Sequence, residues 1–236
     1  MFLFLNPLRE LSLPSVMLRL VLAMLFGGLI GLERGRRRRP AGFRTYMLVC
    51  LGAALTMLLG QYDALMLATQ WSGGAASDVS RFGAQVINGI GFLGAGTILV
   101  TPRQQIKGLT TAAGLWASAC MGLAIGAAFY ECILPGFVLI FLSMRVLPRL
   151  EASMIERARN LNIYMEFTSL RDVSTIVNHI KAQSARIYDV ELSRERDGGP
   201  NRVIAVFNVR LEERQPHTRF LSALSELECV YKIDEI

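Results

Sequence analysis

The residue combinations in this chain best suited to chemistry are polar groups set inside apolar runs. Arg81, Gln85 and Asn88 follow one another at spacings of four and three, so on a helix they share one face. Asp78 stands three residues before Arg81, where it could cap that helix and pair with the guanidinium. Glu33 closes another apolar run, and Arg44 with Thr45 opens the next. A guanidinium facing lipid costs roughly 2.5–3.5 kcal/mol at the centre of a span, so such faces are expected to point into a helix bundle or a wet cavity. Two uses fit these residues: a structural polar network, or an internal site or lumen that is wider at its mouths than in its middle. A hard dication wants carboxylate oxygens or retained waters, and Arg44 and Arg81 would repel it, so an ion path here would suit an anion better. No catalytic set accompanies these groups: the apolar part has no histidine and no Ser-His-Asp arrangement. An enzyme is not expected, and neither a metal nor a cofactor is implied.

The elements that must hold these groups are membrane helices. The 236 residues are 52% hydrophobic and only 19% charged, with the charge concentrated in short loops and in the last third of the chain. Five segments are long and apolar enough to cross a bilayer, within the usual range of about 17–25 residues. They are Val16–Leu32, Thr45–Gly60, Arg81–Val100, Thr110–Tyr130 and Cys132–Leu147. Twelve Lys and Arg fall in the loops on one side of this layout, whereas Arg9 and Arg19 alone fall on the other. The bias predicts an amino terminus outside the cell and a tail inside it. Most of the surplus behind the net charge of +6 serves this purpose, so nucleic acid is not an expected partner. The block Arg36, Arg37, Arg38 and Arg39 is expected to anchor topology or to hold anionic lipid headgroups. No signal-peptide cleavage pattern follows the first apolar run, which is read as a retained span. The four cysteines show no C-x-x-C spacing and are expected to be inert thiols.

Small residues recur where spans should touch. Lipid is as apolar as leucine, so helices associate through close packing, which favours glycine, alanine and serine at contacts. Gly27, Gly31 and Gly35 form one row, and Gly114, Ser118, Gly122 and Gly126 form another. The third span carries Gly83, Gly89, Gly91, Gly94 and Gly96, leaving little bulk on any face. It is therefore expected at the centre of a tight bundle.

Three segments join these features into a recognisable pattern: GGLIGLERGRRRRPAGFRTYMLVCLGAALTML, DVSRFGAQVINGIGFLGAGTILV and IKGLTTAAGLWASACMGLAIGAAFY. Together they resemble the bacterial MgtC/SapB family over about Leu22 to Tyr130, with Phe43 standing where Leu is usual in the G-L-x-R-T motif. The resemblance implies a bacterial inner-membrane protein associated with growth in scarce magnesium and, in pathogens, with survival inside macrophages. It also implies action by binding and restraining other membrane proteins, such as ATP synthase or ion transporters, rather than by carrying Mg²⁺. A transporter or channel using Glu33, Arg44, Arg81, Gln85 and Asn88 is the alternative.

The tail reads as soluble. Residues 1–150 form the membrane domain, 151–160 a linker and 161–236 a domain of order βαββαβ, a ferredoxin-like sandwich. Its strands are Leu161–Phe167, Ile187–Ser193, Arg202–Leu211 and Cys229–Ile233, with a turn at Asp197–Pro200. The first helix lies in Arg171–Ala185, and the second begins at Pro216 with Phe220, Leu221 and Leu224 facing inward. This order is similar to the ACT-like tail of longer family members, which implies a small ligand or pairing into a homodimer. His179 and His217 are expected to be solvated surface residues.

Overall fold

A computed structural model of the chain describes residues 6–37, 39–70, 78–101, 105–155, 158–194, 203–212 and 217–235. These fall into two compact units, 1–148 and 149–236.

The first unit is helical. A short α1 (Asn6–Arg9) precedes α2 (Leu13–Arg36), which starts with Pro14 in its first turn, where the missing N–H has no intrahelical partner to lose. Then come α3 (Phe43–Gln70), α4 (Val79–Ala95), α5 (Leu109–Gly126) and α6 (Tyr130–Arg145), and α7 (Leu147–Ile155) runs across the boundary into the second unit. Four stretches are long and apolar enough to span a membrane: Leu13–Arg36, Phe43–Thr69, Leu109–Gly126 and Tyr130–Glu151. α4 has 17 residues and packs against both α3 and α5. The ring of Phe82 sits on Gly60 at one end, and Gly94 sits on Ala112 at the other.

Two of the three glycine rows act as expected. A Cβ at Gly27 would lie 2.6 Å from Cys50 Cβ, and one at Gly31 would lie 2.8 Å from the backbone of Phe43. On α5, added Cβ atoms would reach 2.1 Å from Cys50 O at Gly122 and 2.6 Å from Ala54 O at Gly126. At Gly114 the side chains of Met144 and Tyr46 occupy the space, and Ser118 Oγ donates to Tyr46 O at 3.1 Å. Backbone-to-backbone contact is thus what these small residues permit.

The third row corrects the expectation. α3 and α5 are the central helices, and α4 lies at the edge, packed against those two. Gly94 is buried against Ala112, but Gly89 and Gly91 meet nothing within 4 Å, and Gly96 touches only carbonyls of its own last turn. Abundant glycine left α4 free to pack on any side, and it uses one.

The helix also ends before Val100. Thr97 turns its hydroxyl back to Gly94 O at 2.8 Å, and the β-branched run that follows pairs as β1 (Leu99–Val100) with β2 (Ile106–Lys107). Gly108 closes this hairpin at φ 99°, and a Cβ there would lie 1.9 Å from Thr97 O.

The second unit has the expected order. β3 (Asn160–Phe167), α8 (Asp172–Ala182), β4 (Ala185–Arg194), β5 (Val203–Leu211), α9 (His217–Ser225) and β6 (Val230–Glu235) build an antiparallel sheet in the order β4-β5-β3-β6. Leu161, Ile163, Met165 and Phe167 alternate inward from β3 to meet Ile176, Ile180, Phe220 and Leu224 of the helices. The first five residues of the expected linker are helical, as the end of α7. The turn at Asp197–Pro200 and Pro216 lie outside the described residues.

His217 departs from its expected exposure. It is 2% exposed, with Nε2 2.8 Å from Ala158 O and Nδ1 2.8 Å from Glu235 Oε1. A carbonyl can only accept, so Nε2 carries a proton. The ring thereby ties the entry of β3 to the end of β6. Burial pushes the Cys229 thiol upward, in keeping with an inert cysteine.

Candidate functional site

At the arginine-rich end of the bundle, α2 carries a buried ionic cluster. Glu33 is 4% exposed and Arg34 2%. Arg37 Nε stands 2.6 Å from Glu33 Oε1, one helical turn on, and Arg34 Nη1 is 3.9 Å from Oε2. Neither carboxylate oxygen receives an aligned hydrogen bond among the described residues. Arg34 Nη2 reaches Thr111 Oγ1 at 3.4 Å, and Tyr46 Oη donates to Thr111 O at 3.2 Å, so α2, α3 and α5 meet here. Arg37 also donates to Arg145 O at 3.3 Å, which places it at the end of α6 rather than free for lipid headgroups. Arg36 and Arg39 are exposed, and Arg38 lies outside the described residues.

Glu33 therefore acts with Arg34 and Arg37. Arg44 and Thr45, expected beside it, point outward from the start of α3. There they form one end of a groove between α3 and α4.

At the opposite end, a second buried guanidinium draws the chain together. Arg19 is fully buried, and its Nη1 donates to Gln61 Oε1 at 2.9 Å and Gly126 O at 3.1 Å. Its Nη2 faces the carbonyls of Leu8, Arg9 and Glu10 at 3.1, 2.8 and 3.3 Å. Tyr130 Oη joins Leu8 O at 2.9 Å, and Arg9 pairs with Glu131. In the charge bias of the sequence Arg19 and Arg34 count only as topology charges; the signal that places them inside is that each continues the row Ala23, Gly27, Gly31 on the face of α2 that packs inward.

The row Arg81, Gln85, Asn88 does not line an interior path. All three are exposed on the side of α4 turned away from α3 and α5, next to Ala84, Gly91 and Ala95, also exposed. Asp78 caps the helix, accepting from Ser80 N at 3.2 Å. The Ser80 hydroxyl, with help from backbone N–H groups and Arg81, holds the Asp78 carboxyl below its ordinary range. The capping expectation for Asp78 is met, whereas the face bearing Arg81 has no neighbour from the described residues to shelter its amides.

Residues 20–153, more than half of the sequence, match the MgtC family. The chain belongs to that family. It is 37% identical over 182 residues to the protein named "Putative magnesium transporter YhiD" of Escherichia coli K12, an alignment covering 76% of this chain and 81% of the relative. It is 28% identical to protein SapB of Bacillus subtilis, over 76% of this chain and 78% of SapB. Protein MgtC of Salmonella typhimurium LT2 is 40% identical over 132 residues, 56% of this chain and 52% of that protein. The matched region of the family contains Glu33, Arg34 and Arg37 of the first cluster and the whole of α4, but not Arg9 or Arg19.

Proposed function

We propose that this protein regulates other membrane proteins by docking against them, and that it carries no ion itself. One observation supports this reading above the rest: α4 presents Arg81, Gln85 and Asn88 outward between Ala84, Gly91 and Ala95. Amides bare to hydrocarbon are costly, and small residues beside them let a second backbone come close enough to satisfy them. A helix of a partner protein, or of a second copy, would complete the face.

In this reading α4 is a crossing helix, about 26 Å long at 1.5 Å per residue. The bundle then has five crossings, and the arginine bias puts the amino terminus outside and the tail in the cytoplasm of a bacterium. The tail, read as ACT-like, would sense a small ligand or pair with a second tail. Adaptation to low magnesium, and survival inside host cells where the organism is a pathogen, are the settings that family membership suggests. ATP synthase and ion transporters are the partner classes to examine first.

The name of the Escherichia coli relative favours a second reading, a magnesium transporter. Against it, the buried carboxylate of Glu33 is flanked by Arg34 and Arg37, and a dication would meet positive charge there. A photo-crosslinker in place of Asn88, activated in native membranes, is expected to capture a membrane protein through α4, while the purified chain in liposomes passes no Mg²⁺. Magnesium flux that changes on Arg81→Ala or Asn88→Ala, without a crosslinked product, would establish the transporter reading instead.

A further inference from the structure

A groove of about 580 Å³ runs between α3 and α4, on the flank of α4 next to its outward amide face. Arg44 and Thr45 stand at one end, followed along α3 by Leu48, Val49, Gly52, Ala53 and Thr56, with Val86, Gly89, Ile90 and Leu93 forming the other wall. Its floor is wide because the residues there are small: a Cβ placed on Gly52 or Gly89 would meet nothing within 4 Å. Nothing polar in its depth asks for a partner, since the Thr56 hydroxyl already donates to Gly52 O at 2.8 Å. The mouth is different. Arg44 is exposed, and among the described residues no carboxylate pairs with it.

Length decides what fits. From Arg44 to Thr56 the groove extends about 18 Å along the helix at 1.5 Å per residue. Beyond Thr56 the ring of Phe82 closes on Gly60, 2.9 Å from where a Cβ would sit, so α3 and α4 meet. A crossing helix would need a channel through the whole hydrocarbon, about 30 Å, whereas this one matches a single leaflet of about 15 Å. We propose that the groove binds one anionic phospholipid of the leaflet on the arginine-rich side, its acyl chain along Gly52 and Gly89 and its phosphate on Arg44 and Thr45. The charge is complementary twice over. Arg44 meets the phosphate directly, and the exposed Arg36 at the end of α2 and Arg39 in the loop that follows add a positive field that selects a headgroup with net negative charge.

The site differs from the free-sliding headgroup contacts of a basic loop, because the tail is held as well as the head. The inference is independent of partner docking, which uses the other flank of α4. Native mass spectrometry of the full chain, released from nanodiscs of equal phosphatidylglycerol and phosphatidylcholine, tests it. One phosphatidylglycerol should stay bound per chain. Arg44→Gln should lower the retained fraction about tenfold and erase the preference for phosphatidylglycerol, while Arg186→Gln, in the tail, leaves the bound lipid in place. Gly52→Leu and Gly89→Leu, separately, should remove both lipids, and the open space at each position keeps the fold intact, to be checked by an unchanged melting temperature. Retention unaffected by either leucine would overturn the groove, and so would equal retention of both lipids in the native chain. A crosslink from Leu93 to a protein helix in native membranes would assign the groove to a partner and also overturn the proposal.

Discussion

Glu33 and Arg34 are the residues at which a single atom group matters most. Removing one member of a buried ion pair strands the other, at a cost of roughly 3–5 kcal/mol. Glu33→Ala is therefore expected to lower the melting temperature of the detergent-solubilised protein sharply, and Glu33→Gln combined with Arg34→Met to recover much of the loss. A double-mutant cycle measures the coupling, and additive effects would show that the two side chains do not act as a pair. Glycines divide just as clearly. Gly122→Ala would force a methyl to within 2.1 Å of Cys50 O and should cost about 1–3 kcal/mol or more. Gly91→Ala enters open space and should raise helix stability by up to about 1 kcal/mol. The i, i+4 rows of α2 and α5 announced this packing in the sequence, because a repeating small residue marks one face. Arg34 was hidden among neighbours of its own type, and only its phase with Gly27 and Gly31 separates it from Arg36 and Arg39.

Among the elements, α4 separates what patterning reveals from what it conceals. The polar row Arg81, Gln85, Asn88 was correctly placed on one face, since helical spacing fixes which residues share a side. Which side meets protein was not readable: five glycines spread around the helix permit contact anywhere, and the choice fell to Phe82, Ile90 and Gly94. Replacing Gln85 and Asn88 together by leucine should abolish crosslinking through α4 while leaving the melting temperature of the isolated protein unchanged, because both side chains are exposed. A large loss of stability in that variant would mean the face is internal after all. The cap on this helix is robust to pH. Asp78 has its carboxyl held low in the folded protein, so its contribution is present at neutral pH and is lost only as pH falls through that lowered value.

At the scale of the whole molecule, the two units should respond separately to damage. His217 touches Ala158 and Glu235, both in the tail, and losing the hydrogen bonds to those part-buried oxygens costs about 1 kcal/mol. His217→Leu should speed hydrogen exchange in β3, β6 and α9 while α2, α3 and α5 exchange as before; equal acceleration in both units would show that they unfold as one. The tail's order was readable because alternation and helical spacing change sharply along it. The burial of His217 was not, since its partners lie 59 and 18 residues away in sequence.

Arg19 carries a consequence for how the chain is made. Its helix is synthesised and handed to the bilayer long before Gly126, 107 residues downstream, exists to accept its hydrogen bond. Until α5 arrives, the guanidinium can turn only to the carbonyls of Leu8, Arg9 and Glu10, to Gln61 once α3 is made, and to water. Insertion of α5 then supplies Gly126 O, so the later helix latches the earlier one, and biogenesis gains a direction that the finished bundle no longer displays.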